Sequence, residues 1–294
     1  MKLKKVFGVV GAVAAVAAAV ALVVLVRRQM AEKRELDERG QMYVRFGVEA
    51  PPEERFPALP GVAPHNAAAA SLGAVLFTKP GLFAEKGKAC ATCHRLNSGG
   101  VDNKRHGGAL TRTVNNAFFA DRFMRDGSVA GYPALVERML ADKVFCGGGS
   151  LDGVVSRLAA NAAVSNRFAM VFDEGLNAAN LVDALVQHGL TLVSERGAYD
   201  RFRGGVEDAL SAESKRGFEI FRANCAECHY GPALGLRRVV EGQKVPGLRG
   251  LSSRKAYLST GTRSDLTAVL AFMPGGEIED DADRLALLSF LGEL

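Results

Sequence analysis

Cys225-Ala226-Glu227-Cys228-His229 and Cys90-Ala91-Thr92-Cys93-His94 are the two stretches on which the reading of this chain turns. Four of its five cysteines lie in them, each pair two residues apart and followed at once by a histidine. On one helical turn this spacing presents two thiols to one side and an imidazole beside them. Those are the requirements for covalent attachment of a c-type haem, with the thiols adding across its two vinyl groups and the histidine facing the iron. A zinc site would hold its two CxxC pairs about 15–20 residues apart and needs no histidine after each. A thioredoxin-like pair needs a βαβ setting and would not recur. Adjacent CxxC pairs are also poor staples for a loop. Two haem c groups are therefore expected, at Cys90, Cys93 and His94 and at Cys225, Cys228 and His229. Cys146, in a glycine run, reads as a plain buried or loop thiol.

The flanking pattern is helical. Leu72, Val75 and Leu76 recur at i, i+3, i+4 before the first motif, and Phe218, Phe221 and Cys225 carry one apolar face into the second. Leu181, Leu185 and Leu192 mark another helix. A terminal one is marked by Leu285, Leu288 and Leu291 and begun by Asp280, Asp281 and Asp283. Period-two runs are scarce. The expectation is an all-α chain: an N-terminal segment over 1–28, a charged and proline-rich stalk over 29–59, and two cytochrome c-like haem domains in tandem over 60–195 and 196–294.

Residues 6–26 carry no charge, and as a helix they would span roughly 30 Å, the thickness of a bilayer's hydrocarbon core. Three lysines precede them, which favours keeping the N-terminus in the cytoplasm. The length favours an uncleaved anchor over a cleaved signal peptide, whose apolar core is shorter. Either way the body is expected in the periplasm, held at the inner membrane in the first case. The net charge of +5 does not point to nucleic acid. Residues 1–28 hold five basic and no acidic residues, which leaves 32 of each sign in the remainder.

The sixth iron ligands can be narrowed among few candidates. His65 lies in the proline-rich entry, and His188 lies on the Leu181/Leu185 face, where a core histidine is expected. His106 stands in a glycine-flanked loop, Arg105-His106-Gly107-Gly108, suited to a ligand or a catalytic base. After Met170 the chain holds a single methionine, Met273, in a helix read as ending at Pro274-Gly275-Gly276. If the second haem is His/Met ligated, Met273 supplies the sulfur.

Over residues 68–276 the sequence resembles the bacterial di-haem cytochrome c peroxidases, a family that includes the methylamine-utilisation di-haem enzyme. LGAVLFTKPGLFAEKGKACATCH (72–94) is similar to the family's lead into its N-terminal haem, and HGGALTRTVNNAFF (106–119) to its distal-histidine segment. RDGSV (125–129) is similar to the turn that follows. AYDRFRGGVEDALSAESKRGFEIFRANCAECHYGPAL (198–234) and KVPGLRGLSSRKAYLSTG (244–261) resemble its domain junction, second haem site and interdomain loop. The resemblance implies that a small cytochrome c or cupredoxin reduces the C-terminal haem, ligated by His229 and Met273. Hydrogen peroxide would meet the N-terminal haem, ligated by His94 with His106 as the distal, catalytic histidine. Homodimers are a further expectation. Arg138 and Phe145 stand about where the family carries its distal glutamine and glutamate. The chain has no tryptophan for the position between the haems, near which Arg125 falls. Leu110, Ala256 and Ser259 replace the family's asparagine, proline and histidine, so its interdomain calcium site lacks two of its matching residues. Against the peroxidase stand two alternatives on the same fold: a non-catalytic electron-transfer or sensor protein, and an oxidase of another substrate.

Overall fold

Ala67–Thr78 forms α1 because Asn66 accepts the Ala69 N–H with its side chain and a run of good helix formers follows. The computed structural model describes residues 55–83, 87–106, 109–142, 149–194, 196–258 and 260–294. The expected anchor over 6–26, the stalk up to residue 54, Cys146, Phe145 and Ser259 lie outside the described residues. Among the described residues no helix is long and apolar enough to cross a membrane. Helices carry the described fold. The strands are three two-residue antiparallel ribbons.

The remaining helices, in chain order, are α2 (Cys90–Cys93), α3 (Tyr132–Ala141), α4 (Leu151–Ala159), α5 (Ala162–Ala169), α6 (Ala178–Thr191), α7 (Ala198–Arg203), α8 (Ala212–Asn224), α9 (Leu266–Leu270) and α10 (Asp281–Gly292). The ribbons pair β1 (Arg105–His106) with β2 (Ala109–Leu110), β3 (Arg122–Phe123) with β4 (Val129–Ala130), and β5 (Val239–Val240) with β6 (Gln243–Lys244).

Two helix crossings are built alike. α1 meets α6 where a Cβ on Gly73 would come within 1.9 Å of the Ala184 carbonyl oxygen and 2.8 Å of His188 Cβ. α8 meets α10 where a Cβ on Gly217 would come within 1.9 Å of the Ala286 carbonyl oxygen and 2.8 Å of Phe290 Cβ. Four residues after each glycine an aromatic ring packs on the partner helix: Phe77 edge-on to His188 at 5.1 Å, and Phe221 against Phe290 at 5.3 Å. Both crossings are thus set by a missing side chain and locked by a ring. Each seeds its own hydrophobic core. Leu76, Leu158, Phe168 and Leu181 fill the first, and Tyr199, Phe218, Phe221 and Leu287 the second. The close approach at Gly217 also decides which face of α10 turns inward. Ala286, Leu287, Phe290 and Leu291 are buried, whereas Leu285, read from periodicity as a core position, is 59% exposed. A third, smaller cluster of Ala120, Phe123, Ala233 and Leu236 joins residues from both halves.

The proline-rich entry ends inside the folded body. Phe56 and Leu59 are each 1% exposed, and Phe56 belongs to the second core. The junction residues hold this segment. Tyr199 OH and Arg203 Nε donate to the Phe56 carbonyl at 3.1 and 2.7 Å, and Leu59 N–H donates to Asp200 Oδ1 at 2.8 Å. Asp200 in turn takes a bidentate pair from Arg249, Nη1 to Oδ2 at 2.9 Å and Nη2 to Oδ1 at 2.8 Å, with both side chains buried.

Candidate haem-attachment sites

The second motif grows out of the C-terminal end of α8. Cys225 caps the helix, its N–H donating to the Phe221 carbonyl at 2.8 Å, and the chain keeps turning. Cys228 N–H and His229 N–H both donate to the Cys225 carbonyl, at 3.2 and 2.9 Å, so two thiols and an imidazole share one turn. His229 Nδ1 lies 3.1 Å from the Leu234 carbonyl oxygen. A carbonyl only accepts, so Nδ1 carries the proton and Nε2 is left with its lone pair for a metal. Burial pushes the imidazole below its ordinary pKa, against the pull of the Leu234 and Pro246 carbonyls, and keeps it in the neutral, ligating form. The loop that offers the carbonyl is tightly wound. Leu234 and Leu236 adopt φ of 50° and 72°, left-handed values uncommon for leucine, and Gly231 N–H donates to the Arg55 carbonyl at 2.7 Å. Burial lifts the Cys225 thiol to about 11, so it stays protonated at neutral pH.

Met273 does not lie in a helix. α9 ends at Leu270, and Met273 follows in a turn whose N–H donates to the Val269 and Leu270 carbonyls at 3.1 Å each. That turn abuts the second motif. Gly275, at φ 77°, lies so close to Asn224 that a Cβ would come within 2.5 Å of its carbonyl oxygen, one residue before Cys225.

The first motif is a free-standing turn, α2. Ala89 N–H donates to Thr92 Oγ1 at 3.0 Å, and His94 N–H donates to the Cys90 carbonyl at 2.9 Å. His94 Nδ1 is buried without a hydrogen bond, with the Gly100 and Arg112 carbonyls nearby. Burial is the largest influence on its pKa and pushes it down. Paired thiols on a turn, each turn ending in a half-buried imidazole whose pKa desolvation lowers, are the donor set that covalent haem attachment needs, and the residues fit that group.

His106 sits on β1 beside this turn. Cys93, Asp102 and His106 bring one ligand atom each to within 4.8 Å of one another. Asp102, four residues earlier and with a 3% exposed side chain, accepts from His106 Nε2 at 2.7 Å, from Thr111 Oγ1 at 2.7 Å and from Lys104 N–H at 3.0 Å. Burial alone would raise its pKa, yet these three hydrogen bonds outweigh it and hold the carboxyl at about 2. The sequence reading singles out His106 and misses Asp102, whose one signal is its i, i+4 spacing. His188 is a core residue as expected, but its Nε2 has no hydrogen-bond partner among the described residues. His65 is exposed. Glu137 and Arg138 lie on the exposed face of α3, and Arg138 pairs with Asp142 at 3.6 Å.

Residues 67–208 match the family described as di-haem cytochrome c peroxidase. The chain is 29% identical to cytochrome c peroxidase Ccp of Escherichia coli K12 over 79% of its own length and 60% of that protein. It is also 29% identical to the methylamine utilization protein MauG of Methylorubrum extorquens AM1, over 70% of this chain and 69% of that one. Cytochrome c551 peroxidase of Nitrosomonas europaea is 29% identical over 67% of this chain and 61% of that one. The chain thus spans about three fifths of the length of the Escherichia coli and Nitrosomonas relatives. Its fold is similar to that of a MauG-like protein associated with microbial copper homeostasis, with TM-score 0.67 and 16% identity over 84% of this chain and 94% of that one. The diheme peroxidase BthA of Burkholderia thailandensis E264 gives 0.59 and 15% over 81% and 94%. The family match thus takes in the first attachment turn, and the likeness to the solved structures is one of fold across both halves.

Proposed function

We propose that this chain is a periplasmic di-haem peroxidase, anchored by a helix over residues 6–26, that reduces hydrogen peroxide with electrons from a small cytochrome c or cupredoxin. The observation that supports it best is the pair of CxxCH turns, each ending in a half-buried histidine whose pKa desolvation lowers, with His229 Nδ1 fixed by a carbonyl. The net reaction consumes one peroxide, two electrons and two protons and yields two waters. Haem carried at both turns supplies one-electron transfer and, at an open iron position, a site for peroxide.

The chain's own residues supply the rest. His94 and His229 each offer Nε2, and Met273, in a turn against residue 224, is the sulfur nearest in sequence to the second site. Asp102 is ionised at any physiological pH and keeps a proton on His106 Nε2, which leaves the Nδ1 lone pair free to accept another. His106 can therefore relay a proton beside the first turn, and it can act as an iron ligand through Nε2 only by leaving Asp102. The electrons would enter at the C-terminal turn and pass to the N-terminal one.

A specific observation favours a second reading, a non-catalytic electron carrier or sensor. The chain has no tryptophan, and Glu137 and Arg138 lie on an exposed helix face. One measurement separates the two: visible spectra of the oxidised and half-reduced protein with peroxide added to each. The peroxidase gives a high-spin haem on half reduction that reacts with peroxide and turns over with a cytochrome donor. Two haems that stay six-coordinate and inert overturn it in favour of the carrier.

A further inference from the structure

The first attachment turn has neighbours that the second lacks. Cys93, Asp102 and His106 each bring a ligand atom to within 4.8 Å of the others, and among the described residues no other three histidine, cysteine or acidic side chains gather this closely. They come from three pieces of chain. Cys93 ends the turn that begins at Cys90, whose start is fixed by the Ala89 N–H donating to Thr92 Oγ1. His106 lies on β1, held in register by its pairing with Ala109. Asp102 lies on the loop between them, and its two oxygens have different tasks. Oδ1 accepts from Thr111 Oγ1 at 2.7 Å and from the Lys104 N–H at 3.0 Å, while Oδ2 meets His106 Nε2 at 2.7 Å. A carboxylate tied down through one oxygen presents the other as a fixed, monodentate ligand. At the second turn the adjacent acid, Glu227, has an 80% exposed side chain and is turned to Arg238 at 2.9 Å.

One thiolate, one imidazole and one carboxylate are a mixed set. Calcium and magnesium take oxygen ligands and have no use for the sulfur, whereas zinc accepts all three kinds and oxidises none of them. Three protein ligands leave the fourth tetrahedral position to water. Zinc–ligand bonds of about 2.0–2.3 Å set the ligand atoms roughly 3.5 Å apart. The 2.7 Å pair then opens by about 0.8 Å, and the sulfur closes in by about 1.3 Å at most. Metal entry breaks the hydrogen bond between His106 and Asp102. The ring keeps a single proton, on Nδ1, and the Cys93 thiol releases one to solvent, so the dication is neutralised by one thiolate and one carboxylate. The same sulfur is the one that adds to a haem vinyl group, and a zinc-bound thiolate cannot do both.

We propose that Cys93, Asp102 and His106 form a zinc site of the chain before haem attachment, so that zinc and the first haem compete for the Cys93 sulfur while the second turn loads unopposed. The inference rests on the two-haem reading above. Cobalt(II), a coloured stand-in for zinc, tests the site directly when titrated into the full-length chain produced without haem, with circular dichroism confirming its helices. The wild type should bind one equivalent, with a thiolate-to-cobalt charge-transfer band and the strong visible bands of four-coordinate cobalt, and zinc should displace it. Cys93→Ser should abolish the charge-transfer band. Asp102→Asn and His106→Gln should weaken binding by about a hundredfold, whereas Cys225→Ser should leave it unchanged. Cobalt bound equally at both turns, or bound as tightly by Asp102→Asn, overturns the proposal in favour of ordinary chelation by a CxxCH motif.

A second arm needs no haem-free chain and decides alone if that chain shows no helix. The full-length protein is matured in cells grown with and without added zinc, and haem on the peptides holding residues 90–93 and 225–228 is counted by mass spectrometry. Zinc should lower occupancy of the first peptide relative to the second, by about tenfold when free zinc is about ten times its dissociation constant. Asp102→Asn should remove that sensitivity. Equal loss at both peptides, no loss at either, or a loss at the first that persists in Asp102→Asn overturns the proposal while the two-haem reading stands. A second peptide that never carries haem overturns the two-haem reading, on which the cobalt titration does not depend.

Discussion

Asp102 takes three hydrogen bonds, and the one from His106 Nε2 ties up the nitrogen that would otherwise meet an iron. Replacing it with alanine frees that nitrogen. In Asp102→Ala we expect the ferric spectrum to shift toward six-coordinate low-spin haem and peroxide turnover to fall by about a hundredfold, the lower range for loss of acid–base assistance. An unchanged spectrum would remove Asp102 from the account of His106. Met273 is tested separately. Met273→Ala should leave both haems attached, because attachment depends on cysteines, and should lower the potential of one of them, since methionine ligation raises it. A redox titration superimposable on wild type would end that ligand assignment. Both cases mark what one sequence can show. His106 and Met273 stand out because their residue types are scarce, whereas Asp102 is one acid among many until the ribbon brings it to the imidazole.

At the level of elements the two helix crossings carry the design. A methyl group at Gly73 or Gly217 would run into backbone rather than into a side chain that could swing away, so the helices must separate. Gly73→Ala and Gly217→Ala should each cost about 3 kcal/mol. Each should loosen its own half: melting followed at a haem band, with the other half monitored by proteolysis, should show the damage confined to one motif. Equal loss at both motifs would mean that the halves do not fold as separate cores. Periodicity located these helices correctly at Leu72, Leu76, Phe218 and Phe221, all buried. In α10 it holds at Leu288 and Leu291, which pack on the second core, and fails only at Leu285, because the inward face there is set by how closely Gly217 lets Ala286 approach. A hydrophobic pattern records which residues are apolar, not which partner helix has a gap to receive them.

In the whole molecule, the segment before the first helix is tied to the second core rather than left outside. The five prolines between residues 51 and 64 read as a spacer, yet Phe56 and Leu59 are buried, because Asp200, Tyr199 and Arg203 reach across more than 140 positions of sequence to hold them. No local pattern encodes such a contact. The two haem motifs are local patterns, and they were legible at once. Asp200 is the centre of this long-range clamp, and its dependence on Arg249 yields a prediction with an internal control. Asp200→Asn leaves the Arg249 guanidinium buried without its counter-charge and should cost about 3–5 kcal/mol in denaturant unfolding. Replacing both partners with apolar residues of similar size, as in Asp200→Leu with Arg249→Met, removes the stranded charge and should recover most of that loss. Leu59 and Gly197 N–H both lose their acceptor in the double variant, so recovery should stop short by about 2 kcal/mol, the share of two hydrogen bonds. If the double variant is as unstable as Asp200→Asn, the clamp works by holding the entry segment in place and the ion pair is secondary. Faster proteolysis around residues 55–60 in both variants would then identify that segment as what has come loose.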